Sequence, residues 1–312
     1  MNIKSLSLNN LKLNNNVFLA PMAGYTDYPF RSVALESGYG LCFTELVSAK
    51  GIIYGGRAND ELVFCGDDVE KTAVQIFGSD ALSMRQACES SLLEKFKIVD
   101  INMGCPVPKV FKNGDGSALL KDIVKASNVI KECVKSGKII TVKIRTGLVK
   151  GDDVATEYAK MAEDSGAKLI TIHGRVREAY YSGEVDYDAI YKAKKAVNIP
   201  VIANGGIFTI EDANLMMENT GADGVMLARG GIANPFLVSE LIGVKPPCGL
   251  KDFIIKHTQK IESFYPLRRS ILEFRKFVSY YLKGIVGVKD AKLALYSAED
   301  FGKIREIIDQ IL

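Results

Sequence analysis

The chain is poor in the residues that build metal centres and disulfide frameworks. Two histidines occur in 312 residues, and the six cysteines, at 42, 65, 88, 105, 133 and 248, include no CxxC spacing. Those spacings argue against zinc, so no metal is expected. No stretch is long and apolar enough to span a bilayer, so no membrane is expected as a partner. The N-terminus, Met1 to Leu6, lacks the basic-then-apolar layout of a secretion signal. A soluble, cytoplasmic protein with reduced thiols is the expectation. Also missing are a GxGxxG turn, low-complexity tracts and any repeat longer than a strand–helix unit. Nothing demands more than one copy, so a monomer is expected.

Net charge is also small, at +3. Its distribution is uneven. From Lys245 onward 13 basic residues stand against 8 acidic ones, so the tail carries +5 on a near-neutral body. A basic end suits a polyanionic partner.

What is present is an alternation. Eight short apolar runs begin at Val17, Leu41, Ala73, Ile98, Ile139, Leu169, Pro200 and Gly224, separated by helical periodicity. Helix openings are marked by Asp80, Ser117, Asp152-Asp153 and Thr209, with the second helix expected to run from Ser117 to Lys135. Eight strands alternating with helices over about 240 residues predict an α/β fold, a (β/α)8 TIM barrel. After Gly243 the composition turns to linker (Pro246-Pro247), and residues 250–312 show helical periodicity alone. The expected division is a catalytic barrel over residues 1–243 and a small all-helical domain over 244–312.

Barrel enzymes draw their catalytic groups from the C-terminal ends of the strands. Here those ends carry Pro21-Met22, Thr44-Glu45, Gln75, Asn102, Lys143 with Arg145, His173 with Arg175, Asn204-Gly205-Gly206 and Arg229-Gly230-Gly231. Polar groups on a core rim lose hydration and need partners, so a ring of amides, cations and one imidazole suits a planar, anionic ligand. Glycine loops after strands seven and eight, with Arg229 beside them, are where barrels take phosphate. FMN fits this set. Gln75 and Asn102 would meet the edge of its pyrimidine, Lys143 its N1/O2 side, and His173 the ring or phosphate. Cys105, between Gly104 and Pro106 just past strand four, has no base beside it. Its thiol, mostly protonated at neutral pH, suits a proton donor. His257 is expected to be structural or exposed.

Leu19 to Asp27, Thr44 to Gly51, Gln75 to Gly78, Asp100 to Leu119, Val142 to Arg145, Ile172 to Arg177 and Ala203 to Ile207 follow one another in an order that resembles the tRNA-dihydrouridine synthases. The likeness spans roughly residues 15–240 and is greatest to the bacterial DusB-type branch. It implies an FMN-bound barrel and a helical domain that together grip tRNA, with NADPH (or NADH) as reductant. Hydride would go to C6 of a uridine and a proton from Cys105 to C5. By position, Pro21, Met22, Ala23, Gln75, Lys143, Asn204, Gly205, Gly206, Ala228 and Arg229 match the FMN-binding segments. Two residues depart from the pattern: Gly206 stands where Asp is frequent, and Ala228 where Gly is. A third, Phe277, follows Arg275-Lys276 where relatives often carry His. Reaching a stacked uridine means extruding it, and basic contacts to the RNA backbone offset the cost. Lys109, Lys112, Arg145, Arg175 and Arg177 are the candidates for those contacts, with the basic tail. Two rivals remain: another FMN barrel acting on a free pyrimidine, which has no need of a basic helical tail, and a non-catalytic RNA-binding barrel.

Overall fold

The structure, a computed structural model, describes residues 2–312. It begins with a hairpin that the sequence reading missed, β1 (Leu6–Leu8) against β2 (Leu11–Leu13). Its signal was Leu-Ser-Leu and Leu-Lys-Leu on either side of Asn9-Asn10; Asn9 sits at φ 51°, a conformation asparagine tolerates in tight turns. Eight parallel strands then close into a barrel: β3 (Val17–Leu19), β4 (Leu41–Ser48), β5 (Thr72–Phe77), β6 (Ile98–Met103), β7 (Ile139–Arg145), β8 (Ile170–His173), β9 (Val201–Asn204) and β10 (Gly224–Leu227), with β10 pairing β3. This is the expected TIM barrel, with β4 running on to Ser48 through an irregularity between Phe43 and Leu46.

Side chains along a strand alternate between faces, and the two faces of this barrel have separate cores. Val74, Ile76, Val99, Ile101, Val142, Ile144, Ile170 and Ile172 join the outer core under the helices. Phe18, Phe43, Ala73, Ile98, Leu169, Ile202 and Met226 form the inner one, and Leu6, Leu8 and Leu13 of the hairpin pack onto it, closing the floor. The polar residues at every second position above this apolar plug therefore point inward, towards the mouth.

The second expected helix is divided. Residues Gly116–Lys121 form a 3-10 turn, and the α-helix begins at Ile123 because Asp122 caps it, accepting the Lys125 N–H at 2.9 Å. Asp152 likewise closes a turn, accepting from Leu148 and Val149, and the helix starts at Ala155. Thr209 and Asp212 form a capping box on Ile210–Thr220, which stops at left-handed Gly221.

Four helices follow Gly249: Leu250–Phe264, Leu267–Tyr281, Lys289–Ser297 and Phe301–Ile311. Their core is continuous with the barrel's outer core. Phe277 stacks on Phe30 at 5.2 Å between ring centroids and meets Tyr25 edge-on. His257 is buried here; burial pushes its imidazole down to about 3, and Nδ1 lies 2.8 Å from the Tyr281 hydroxyl. At the same junction Asp27 Oδ1 caps the helix Tyr28–Glu36, and its Oδ2 accepts from the Tyr265 hydroxyl at 3.0 Å.

Burial raises Asp27 to about 7, against 3.8 in an exposed chain. The folded state therefore holds this proton more tightly than the unfolded state, and its contribution to stability falls as pH rises from about 4 to about 7. Asp27→Asn, which keeps the cap, is expected to flatten that decline in a thermal melt series. Phe277→Ala is expected to cost about 3–5 kcal/mol by denaturant titration, as for other large core rings.

Candidate active site at the barrel mouth

A cleft of about 510 Å³ opens at the C-terminal ends of the strands. It is lined by most of the residues named from the sequence: Pro21, Met22, Ala23, Gln75, Asn102, Cys105, Lys143, Arg145, His173, Arg175, Asn204, Gly205, Gly206, Ala228 and Arg229. The period-2 rule explains the convergence. Asn102 lies beside Lys143 in the β6–β7 register, Arg145 beside His173 in β7–β8, and His173 beside Asn204 in β8–β9. Each is an inward position directly above the apolar plug.

The amides are not free to turn. Buried Asp100 accepts from Thr141 Oγ1 at 2.5 Å and from Gln75 Nε2 at 2.7 Å. Gln75 Oε1 accepts from Asn102 Nδ2 at 2.7 Å. Asn102 Oδ1 accepts the N–H groups of Gly104 (3.2 Å) and Cys105 (2.9 Å). Asn102 lines the cleft, and its oxygen also holds the Cys105 loop. On the far wall Asn204 Nδ2 donates to Met226 O, so its Oδ1 accepts from Lys143 Nζ at 3.0 Å.

Cys105 is 8% exposed, and its carbonyl accepts from Ser117 Oγ at 2.7 Å. Gly116, at φ 59°, closes the loop from behind, where a Cβ would stand 3.0 Å from that of Cys105. Burial pushes the thiol up, with the Val107 N–H, then Arg145 and Arg177, partly opposing the shift. The thiol therefore carries its proton at neutral pH.

Lys143, Arg145, Arg175 and Arg229 share the cleft, and no carboxylate lines it among the described residues. Burial, then the Arg145 charge, brings Lys143 down to about 7. Burial and this crowd of cations keep His173 well below its usual range, so the ring is neutral. Cations gathered without counter-ions call for an anionic ligand. Arg229 lies over the Tyr181 ring at 4.8 Å, beside the loop Gly205-Gly206.

The basic residues proposed to touch RNA divide. Lys109 and Lys112 are exposed on the short helix Pro108–Lys112, and Arg177 is half-buried, stacked 3.8 Å over Phe111. Arg175 donates from Nε to Gly183 O at 3.0 Å. Arg145 does not belong with a surface set. It is 2% exposed, and its guanidinium holds Gly104 O (2.9 Å), Val176 O (3.1 Å) and Tyr180 O (2.8 Å), tying the Cys105 loop to the loop after β8. Tyr25, Tyr181, Phe208 and Tyr280 also line the cleft and were missed. Tyr181 and Phe208 sit in the loops after β8 and β9, where exposed aromatics beside His-Gly-Arg and Asn-Gly-Gly were a signal. Tyr280 arrives from the helix Leu267–Tyr281, which no local pattern announces.

A (β/α)8 barrel with a cation-lined cleft at this rim has the layout of an enzyme. Two solved structures share the fold: histamine dehydrogenase from Rhizobium sp. 4-9 (TM-score 0.58, 14% identity, 82% of this chain covered) and a 2-naphthoyl-CoA reductase (0.59, 12%, 77%). This chain spans about half the length of each, 50% and 52%. The family profile described as dihydrouridine synthase matches residues 18–306. The chain is 37% identical over 292 residues to tRNA-dihydrouridine synthase B of Pasteurella multocida strain Pm70, covering 90% of this chain and 87% of that one. It is 35% identical over 298 residues to the protein of that name from Pseudomonas putida strain KT2440, covering 92% and 88%. The chain belongs to the dihydrouridine synthase family, a family of oxidoreductases, and is of the B-like kind. Among the described residues no cluster of three or more His, Cys, Asp or Glu is placed to hold a metal, and no helix is long and apolar enough to cross a membrane.

A Lys143 that titrates near 7 loses its charge as pH rises through that value, so affinity of the ligand-free protein for sulfate, whose own charge is constant over this range, is expected to fall from pH 6 to pH 8. Arg229→Ala should weaken it about tenfold at either pH, the typical weight of one charge-assisted contact. Calorimetry at both pH values checks this.

Proposed function

We propose that the chain reduces the C5–C6 double bond of specific uridines in tRNA, with FMN as cofactor and NADPH or NADH as reductant. One observation carries the reading. A protonated, part-buried thiol shares a single cleft with an uncompensated cation set and a glycine cradle, in a chain of this family.

The residues present fit FMN. A Cβ on Gly205 would stand 2.7 Å from the His173 ring, and one on Gly230 would run into the Ile207 carbonyl, so both loops need glycine to lie this close. Among the described residues no protein acceptor takes the Gly205 or Gly206 N–H, leaving both for phosphate oxygens beside Arg229. Pro21, Met22, Ala23 and Ala228 would flank the isoalloxazine, Gln75 and Lys143 its polar edge, and neutral His173 would donate or accept without adding charge. Gly206 and Ala228, which depart from the family pattern, would act through backbone and leave the cradle intact. When bound, reduced FMN supplies hydride to C6 of the base.

The chain's own groups do the rest. Cys105 Sγ gives its proton to C5, held for that by the Asn102 and Ser117 bonds to its backbone. Lys143, as a cation, stabilises negative charge at the edge of the ring system. Aromatic walls at Tyr181 and Phe208 exclude water from the extruded base. Lys109, Lys112, Arg175 and Arg177 would take the RNA backbone around the mouth. The helical region 244–312, with net charge +5, would take more of it as the tRNA-binding domain, beside a catalytic domain over 1–243. Both act within one chain, as a cytoplasmic monomer. The basic tail favours this reading over a barrel acting on a free pyrimidine.

Cys105→Ala is expected to retain flavin and its reduction by NADPH in stopped flow, while dihydrouridine formation in tRNA drops by about 10²-fold or more, the usual size of a general-acid contribution. Native dihydrouridine yield from that variant would remove the thiol from the chemistry. Absence of salt-dependent tRNA binding would remove the RNA.

A further inference from the structure

The hydrogen bonds beneath Cys105 form one directed chain, and its root is a residue outside the cleft. Asp100 is fully buried, and both its oxygens are spoken for, one by Thr141 Oγ1 and the other by Gln75 Nε2. Burial raises this carboxyl to about 6, so above pH 7 it is ionised and can only accept. Gln75 must therefore turn its NH2 down and its oxygen towards Asn102. Asn102 must then turn its NH2 to Gln75, which leaves its oxygen for Gly104 and Cys105 N–H. Rotating either amide would set donor against donor at the loop, or acceptor against acceptor at Asp100. In a buried site each such mismatch strips a group of its partner.

We infer that Asp100 is a positioning residue whose acceptor-only character sets the direction of the Gln75 and Asn102 amides, and so holds the Cys105 loop in place. The role of the loop in proton transfer rests on the functional reading above; the relay itself does not.

Amide-for-carboxylate exchanges keep shape and reverse direction. Asp100→Asn alone can keep its oxygen on Gln75 and give its NH2 to the Thr141 hydroxyl, so it is expected to be nearly silent. Gln75→Glu sets acceptor against acceptor at Asp100 wherever both carboxyls are ionised, so at pH 8.5, the pH at which all the variants are compared, it is expected to loosen the loop. In the double variant, Asn at 100 donates to Glu at 75 and turns its oxygen to Thr141, and the chain is whole again. Asn102→Asp offers a second route. It forces Gln75 to turn over, and Asp100→Asn again supplies the missing donor. A substitution silent alone should thus restore two different damaged variants, which a merely structural Asp100 would not do.

The readout is the rate of Cys105 alkylation by iodoacetamide on cofactor-free protein, followed peptide by peptide by mass spectrometry. Dihydrouridine yield in tRNA from reduced holoenzyme is measured alongside. Gln75→Glu and Asn102→Asp are each expected to speed Cys105 alkylation about tenfold, the weight of one buried hydrogen bond, and Asp100→Asn to return both to near the native rate. Unchanged alkylation in both single variants, or no restoration by Asp100→Asn, overturns the inference. Restoration of the thiol rate by a protein whose native form yields no dihydrouridine upholds the relay and overturns the functional reading instead.

Discussion

A closed parallel barrel gives its inward side chains two places to go: into one another or out through the mouth. Every polar residue of the cleft is subject to that constraint. Below, Phe18, Phe43, Ile98, Leu169, Ile202 and Met226 fill the bore. Above them the same strands switch to Asp100, Asn102, Lys143, His173 and Asn204, groups that cannot be buried unpaired. They satisfy one another first, and what is left over defines the chemistry. The amides are consumed in holding a loop. The cations bond only neutral oxygens, and among the described residues no carboxylate lines the cleft to offset their charge. The cleft is thus rigid in its neutral groups and unsatisfied in its charged ones, the combination that receives an anion without rearranging.

The strands were legible because a parallel barrel buries them on both faces, leaving runs of Val, Ile and Leu with a single inward exception at every second residue. Gln75, Asn102, Lys143, His173 and Asn204 were legible for the same reason. They interrupt apolar runs at strand ends. Other features depend on distance in space. Nothing local marks Arg145 as buried, because its fate rests on carbonyls supplied by Val176 and Tyr180, some 30 residues on. Tyr280 and the Phe30–Phe277 stack depend on how the tail docks. The helix break at Asp122 lay within reach, since Asp before an apolar period is a capping signal, but the good helix formers on either side outweighed it.

The helical region is more than an appendage. Asp27, Tyr265, Phe277 and His257 bury polar and aromatic surface between it and the barrel, and Tyr280 extends from it into the cleft. Arg145 does similar work within the barrel, joining the Cys105 loop to the segment that carries Tyr181. Movement of the aromatic wall at Tyr181 and movement of the thiol are therefore mechanically connected through one guanidinium.

The hairpin of Leu6, Leu8 and Leu13 has a kinetic meaning. With the bore filled and the hairpin leucines packed beneath it, the cleft is approached from the C-terminal side of the strands, where its lining residues lie. On the proposed function, reductant and polynucleotide would share that one approach and so would have to use it in turn.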